Sequence, residues 1–502
     1  MDKLDHQIII VGSGFAGLAM GIRLKKKGIH DFLILEKAAD IGGTWRDNTY
    51  PEAACDVPSH VYSFSFEPNP HWSRQFSGQA EIFAYLRHCS QKYGLDRHLR
   101  FHAAVTSATY DATSASWLVQ IKGQAPLRAR YLIPCTGGLS RPSYPVIPGI
   151  ESFKGAIFHS AHWDHRFPLE GKRVGVIGTG ASSIQIVPAI APKVAVLHLF
   201  QRTASWILPK PDRSFRPWEK FLIARLPGFQ FFLRSLLYWL FEMRALALLR
   251  PRLMRIGERR ARAYLGEKIK DPDLKARLTP SYTMGCKRVL LSNEFYDSLQ
   301  LPQVKLVSEG ILAITPEGIK TKDGEEIQLD AIICATGFQV AEASAPFPIL
   351  GRDGLDLARL WSEGAEAYLG TAVAGFPNMF FMVGPNTGLG HNSMVFMIEA
   401  QARYIVAAIQ TAAKKGLNSL EVKASEQALF NAELTRRFQN TVWTQGGCQS
   451  WYLAPNGRNT TLWPGFTFEF AFRTRKFSLA AYHSQKKATD PEEQPEPLRG
   501  AV

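Results

Sequence analysis

The segment Gly12-Ser13-Gly14-Phe15-Ala16-Gly17 follows directly on an apolar run at 7–11. No other feature constrains the fold as much. A continuous apolar run reads as a strand buried on both faces, as in a parallel sheet. In GxGxxG after such a strand, the first glycine permits a tight turn. The second leaves the backbone bare for a pyrophosphate, whose charge the N-terminus of a helix favours, and the third lets helix and strand pack closely. Helical spacing over 15–27, closed by Gly28, predicts that helix, and 32–35 reads as the next strand. Glu36 ends it, 24 residues after Gly12. A carboxylate there accepts both ribose hydroxyls and repels a 2′-phosphate, so the ligand is FAD or NAD. Gly42-Gly43-Thr44-Trp45 comes soon after and suits a loop lying against a bulky planar cofactor.

The same pattern recurs at 173–177, 181–191 and 196–200. Gly178-Thr179-Gly180-Ala181-Ser182-Ser183 is the second turn, with serine at the third glycine position. The residue 24 positions after Gly178 is Arg202, followed by Thr203. A cation where FAD would need a carboxylate indicates a 2′-phosphate, hence NADP. The expected fold class is α/β: two doubly wound, Rossmann-like dinucleotide-binding domains with a helical insertion. FAD and NADPH in one chain imply hydride transfer from nicotinamide to flavin.

The expected segmentation is 1–140 and 337–483 for the two parts of the FAD domain, and 141–213 and 278–336 for the two parts of the NADP domain. The helical insertion is 214–277, and 484–502 is a polar, disordered tail. Of the net charge of +15, the insertion contributes 15 basic against 6 acidic residues. Nothing else in the chain supports nucleic acid as its partner, so none is expected. The insertion reads as a lid or subdomain packed on the second nucleotide domain, with weak peripheral membrane contact as the lesser reading. Its apolar runs are cut by Arg234, Glu242 and Arg244, which are expected on different helix faces. The turn at 321–325 predicts a hairpin.

No leader is expected, because the chain runs straight into its first strand, and no uncharged run reaches the ~18 residues of a membrane span. The six cysteines (Cys55, Cys89, Cys135, Cys286, Cys334, Cys448) form no CxxC pair and no metal cluster. They read as scattered thiols in a reducing cytoplasm. A disulfide reductase is disfavoured on the same ground.

Residues 153–164 fit FxGxxxHxxxWD in full, through Phe153, Gly155, His159, Trp163 and Asp164. This resembles the fingerprint of type I Baeyer–Villiger monooxygenases. A second family pattern, GGxWxxxxYP followed by Asp, is matched by Gly42, Gly43, Trp45, Tyr50, Pro51 and Asp56; Glu52 and Ala54 depart from it. The resemblance spans about 5–477. Cys135-Thr136-Gly137-Gly138 and Ala335-Thr336-Gly337-Phe338 resemble the two crossings between the domains. Asn386, in Gly384-Pro385-Asn386, falls in the returning FAD domain, and Trp451 resembles an aromatic that lines the nicotinamide and substrate cleft. In the pair Lys287-Arg288, the resemblance implies that the lysine faces the NADP 2′-phosphate and the arginine reaches the flavin.

The implied reaction takes a small-molecule ketone and O₂ to an ester or lactone through a C4a-peroxyflavin. Arg288 would supply the fixed positive charge and Asp56 would orient it. His159 and Trp163 are expected at a linker that couples domain movement to NADP binding. Two alternatives stay open on the sequence: a flavin monooxygenase acting on nitrogen or sulfur, and an electron-transfer flavoprotein that oxygenates nothing.

Overall fold

The strand His6–Val11 is buried from Ile8 onward because it lies inside a sheet. In the computed structural model, which describes residues 3–340, 346–454 and 456–486, it pairs in parallel with Phe32–Leu35 on one side and Gln124–Pro134 on the other. This first sheet has seven strands. Leu99–Arg100 lies outside Phe32–Leu35. Ser116–Ile121, Val105–Asp111 and Ile349–Leu350 follow Gln124–Pro134 towards the other edge. The helix Phe15–Lys26 packs against the long helix Met394–Lys415.

The second sheet is wholly parallel, in the order Val304–Val307, Val196–Phe200, Arg173–Ile177, Ala331–Cys334, Ala156–His159. Its three central strands are buried almost throughout, which is why they read as largely apolar runs. The two crossings lie side by side: Ser143 N donates to the Gly337 carbonyl at 2.9 Å, and Thr336 Oγ1 donates to the Ser143 carbonyl at 2.5 Å. This mixed α/β arrangement of two parallel-centred sheets is the fold class expected from the two glycine turns.

The structure corrects three expectations. Ser484, Gln485 and Lys486 do not belong to a tail, because Tyr482–Lys486 forms an antiparallel ladder with Leu417–Val422. Polar residues on a two-stranded ribbon carry no periodic signal, and the partner strand lies far upstream. The rest of the expected tail falls outside the described residues.

The insertion does not pack on the second unit alone. Its later part does, through Tyr264, Leu265, Ile269 and Leu274. Its helix Phe229–Glu242 instead sits on the first unit, where Leu237 joins the core around Phe15–Lys26 and Met394–Lys415. Nor do Arg234 and Glu242 lie on different faces. Both point inward with Tyr238 between them, four residues from each, and all three hydrogen-bond to groups of the first unit.

Candidate active site

The two glycine turns differ in what each glycine is for. A side chain at Gly12 (φ 104°) would put its Cβ 2.8 Å from the Cys135 carbonyl oxygen, and one at Gly17 would meet the Gly12 carbonyl at 1.9 Å. Both are demanded by packing. At Gly14 the nearest heavy atom to such a Cβ is the Gly43 Cα, at 3.8 Å. In the second turn, Gly178 (φ 110°) would meet the Ala335 carbonyl at 2.6 Å, whereas Gly180 would meet nothing within 4 Å. Gly14 and Gly180 therefore leave bare backbone that protein packing does not require. That suits a pyrophosphate at each helix start.

Around the first turn, Phe15 and Ala16 are buried at the helix start. Glu36 is buried and fixed at its strand end. Its Oε2 accepts from Ser13 N (3.1 Å) and Ser13 Oγ (2.6 Å); its Oε1 accepts from Ala38 N (3.0 Å) and pairs with Arg46 (3.1 Å). A ribose hydroxyl can replace Ser13 Oγ. Gly43 (φ 51°) lies against Gly14, and Trp45 follows in the short helix Thr44–Asp47, where its indole Nε1 donates to the Tyr62 hydroxyl at 3.1 Å. Asn386 is differently engaged: its Nδ2 donates to the Asn459 and Leu462 carbonyls, so it braces a loop.

At the second turn, Thr179 Oγ1 donates to the Thr203 carbonyl at 3.0 Å, which ties the turn to the strand end carrying Arg202. Ala181 and Ser182 lead into the helix Ser183–Ile190. Lys287 comes to the same place from another segment. Burial and then the Arg202 charge push its amine below the ordinary lysine range. Neither cation pairs with a carboxylate among the described residues. Two cations held together in this way suit a phosphate dianion.

Arg288 turns the other way. Its Nε and one terminal nitrogen donate to the two oxygens of Asp56, both at 2.6 Å, with each side chain about one-third exposed or less (33% and 28%). Burial alone pushes the Asp56 carboxyl up; the Arg288 charge and hydrogen bonds outweigh it and hold Asp56 below the usual carboxylate range. The Asp56 charge in turn raises Arg288 above its ordinary value. Cys55, beside the pair, is pushed up to about 12 by burial and then by Asp56.

The structure brings in two residues that the sequence did not single out. Tyr452 is buried beside Arg288; burial pushes its phenol up to about 12 while the Arg288 charge opposes. Trp451, the expected cleft aromatic, is 45% exposed and its ring lies 4.2 Å from that of Tyr452. Arg244 is exposed overall, but its guanidinium stacks over Phe241 at 3.7 Å. Desolvation and the Arg260 charge lower its pKa while Asp56 raises it, which places Arg244 within electrostatic reach of the same carboxylate. Neither residue sits in a patterned motif, so only tertiary proximity reveals them.

The reading of all six cysteines as separate thiols is corrected. Cys286 and Cys448 are joined, with an S–S distance of 2.00 Å and Cα atoms 6.2 Å apart. The bond ties the segment of Lys287 and Arg288 to that of Trp451 and Tyr452. At a sequence separation of 162, spacing gave no cue. Cys55, Cys89, Cys135 and Cys334 are free and buried.

None of the fingerprint residues hydrogen-bonds or pairs with Arg288 or Asp56 among the described residues. Phe153 and Gly155 precede the edge strand Ala156–His159, and a Cβ at Gly155 would meet the Asp330 carbonyl at 2.5 Å. His159 is fully buried against both crossings, with ring centroids 5.3 Å from Tyr144 and 5.7 Å from Phe338. Its Nδ1 accepts from Ala161 N. Trp163 packs edge-on to Phe158, and Asp164 accepts from Arg166 N. The loop bearing Asp56 bridges the two units directly. Tyr50 donates to Gln185 Oε1 (2.9 Å), and Gln185 Nε2 donates to the Ala54 carbonyl (3.1 Å). Glu52, in this loop, has a left-handed backbone (φ 61°), where glycine is the least strained choice.

Residues 5–254 match the family model described as flavin-binding monooxygenase-like. A Baeyer–Villiger monooxygenase of Pseudomonas aeruginosa is 49% identical over 95% of this chain and 91% of its own. Another, from Streptomyces coelicolor, is 44% identical over 96% and 93%. Among solved structures, OTEMO in complex with FAD and NADP superposes with a TM-score of 0.87 at 27% identity, over 96% of this chain and 100% of that one. Cyclohexanone monooxygenase from Rhodococcus sp. Phi1 bound to NADP⁺ gives 0.87 at 26% identity, over 96% and 99%.

Proposed function

The chain belongs to the flavin-binding monooxygenases of Baeyer–Villiger type, and on that premise we propose how its residues divide the work. It is an FAD-dependent enzyme that uses NADPH and O₂ to oxidise ketones to esters or lactones. Bound FAD would take two electrons from NADPH and activate O₂, one atom of which goes to the ketone and the other to water.

We assign FAD to 1–140 and 337–486, with the ribose on Glu36, the pyrophosphate at Gly12–Gly17 and the ring system against Gly43, Thr44 and Trp45. We assign NADPH to 141–213 and 278–336, with the pyrophosphate at Gly178–Ser182 and the 2′-phosphate between Arg202 and Lys287. The bare glycines Gly14 and Gly180 support this arrangement.

The observation that carries the assignment is that two adjacent residues have different partners. Lys287 shares its surroundings with Arg202, while Arg288 is locked on Asp56. Arg288 stays protonated throughout and presents a fixed positive charge where oxyanion charge develops on the ketone carbon's adduct. Asp56 orients that guanidinium through two bonds and leaves its remaining donors to face the cleft. Tyr452, buried beside Arg288, packs against one side of the pair. His159, Trp163 and Asp164 act away from the reacting atoms: His159 rests on both crossings and is placed to couple their movement to the NADP unit.

We also propose peripheral membrane contact through 214–277, supported by the apolar outer surface of its helix Phe229–Glu242. A cytoplasmic location belongs to the proposal because the reductant is NADPH; cell fractionation tests it. Among the described residues no helix is long and apolar enough to cross a membrane.

The deciding experiment is NADPH consumption and product identification across linear, cyclic and aryl ketones. Ester or lactone in proportion to NADPH supports the reading. N-oxide or sulfoxide formation with no ester from any ketone overturns it.

A further inference from the structure

The helix Phe229–Glu242 is built inside out. A surface helix in water turns its apolar stripe inward. Here the inner face carries Arg234, Tyr238 and Glu242. Arg234 donates to the His60 carbonyl (2.5 Å) and Ser63 Oγ (3.2 Å), and the Tyr238 hydroxyl meets Thr467 Oγ1 at 2.9 Å. Glu242, fully buried, accepts from Asn392 Nδ2 at 2.6 Å and Thr467 Oγ1 at 2.8 Å. The outer face carries Phe232, Leu236, Trp239, Leu240 and Met243, at three- and four-residue spacing, each 46–61% exposed. The preceding helix, Pro217–Arg225, packs against this one and exposes Trp218 and Phe221. No described residue covers this face.

The exposed charge along this stretch of chain has one sign. Between Arg216 and Arg260 there are three carboxylates, and none is exposed. Glu219 is held by Arg213, Glu242 is buried, and Glu258 accepts from Met284 N. The same stretch exposes Arg216, Arg225, Arg250, Arg252, Arg255 and Arg259.

Beneath the helix lies a cavity of about 380 Å³, and two of its lining residues, Phe231 and Trp239, are exposed. Arg23, Arg234 and Arg403 line it, and none of them pairs with a carboxylate within 4 Å among the described residues. The one carboxylate on the wall, Glu399, is already engaged by Ser65 N and Oγ. Arg23 Nε is buried with no partner.

We propose that this surface docks on an anionic lipid bilayer, with the outer stripe at the boundary of headgroups and acyl chains and one lipid phosphate seated on Arg23, Arg234 and Arg403. The inference rests on the peripheral contact of 214–277 and names its lipid charge and its residues. A second copy is a poorer occupant: a twofold contact would set each cationic rim against its own image. An anionic bilayer meets both the apolar stripe and the rim.

The test is vesicle co-sedimentation of the flavin-loaded enzyme, using phosphatidylcholine with and without phosphatidylglycerol. The expected result is binding at least about tenfold stronger to the phosphatidylglycerol vesicles, weakened by added salt. The double variant Phe232→Ser, Leu240→Ser should lose about tenfold in binding and keep wild-type turnover of a dissolved ketone. Arg403→Gln, at an exposed position, should lose part of the preference for phosphatidylglycerol and retain the residual binding to phosphatidylcholine.

Equal binding to both vesicles would leave the contact standing and overturn the anionic assignment. Binding to neither would overturn both. A dimer in light scattering that the double variant abolishes, with no vesicle binding, would make the occupant a second copy.

Discussion

Replacing Arg288 by alanine removes the one guanidinium locked on Asp56 and nothing from either glycine turn. The Arg288→Ala enzyme should therefore retain FAD and accept hydride from NADPH at close to the wild-type rate. Its ester yield should collapse. A single lost electrostatic stabiliser at a developing oxyanion costs about 2.7–4 kcal/mol, or roughly 10²–10³ in rate. The upper half of that range fits here, because Arg288 makes two 2.6 Å bonds in a fixed plane and needs no reorganisation as charge develops. Arg288→Lys should recover little, since an ammonium cannot reproduce the planar fork.

Stability should fall less. The pair is about one-third exposed, so solvent screens it and the loss should be nearer ~1–2 kcal/mol than the 3–5 of a fully buried pair. Asp56 also gives a pH signature. Its folded pKa is depressed, so the stability from the pair is fully present above the ordinary carboxylate value and is lost only as pH falls through the lower folded one. In Arg288→Ala, Asp56 loses the counter-charge that holds its pKa down, so its share of the acid loss of stability should vanish and the gap to the wild type should narrow as pH falls. The assay is stopped-flow bleaching of the flavin beside ester yield on one preparation, with thermal melts across acid pH. Ester formation by Arg288→Ala at near the wild-type rate would refute the argument and leave the Asp56 pair as a structural clasp.

Arg202→Ala should raise the Michaelis constant for NADPH about tenfold or more and leave that for NADH little changed, because charge-assisted phosphate contacts contribute ~1.5–3 kcal/mol each; equal use of both cofactors by the wild type would contradict the assignment. Gly180→Ala should fold normally and weaken NADPH binding, whereas Gly178→Ala should lower the melting temperature, since only the second Cβ meets protein backbone; similar melts for the two would show that the turns are not divided in this way. Thiol titration of denatured, unreduced protein should give four groups, and Cys448→Ser should destabilise by about 2–4 kcal/mol; six groups would mean the bond is absent. Glu36→Ala should lose flavin on gel filtration; full flavin occupancy with impaired NADPH affinity would reverse the two sites.

Local chemistry was legible in the sequence where a backbone demand repeats at fixed spacing. Gly12, Gly17 and Gly178 announce themselves because no other residue fits against the carbonyls they face. Glu36 and Arg202 follow from them because a strand of set length carries each to the same place in its own unit. Tyr452 and Arg244 had no such signal, since they reach the Asp56–Arg288 pair from remote segments. The Cys286–Cys448 bond was hidden for the same reason. The strand Tyr482–Lys486 was misread because an edge ribbon of polar residues looks like tail until its partner is known.

The helix Phe229–Glu242 was misread for a further reason. Its charges break an apolar run, and on the sequence that weakens any amphipathic reading. The structure places Arg234 and Glu242, eight residues apart, on one inner face where each finds hydrogen-bond partners. What remains outside is apolar along most of its length. Hydrophobic patterning assumes that the outside is water, so a helix that violates it in an otherwise well-satisfied structure carries information about its surroundings. A bilayer on the outer face would supply the apolar surroundings that this helix lacks in water, and retention on phosphatidylglycerol vesicles should follow the apolar area of that face, falling in the order wild type, Leu240→Ser, then Phe232→Ser, Leu240→Ser.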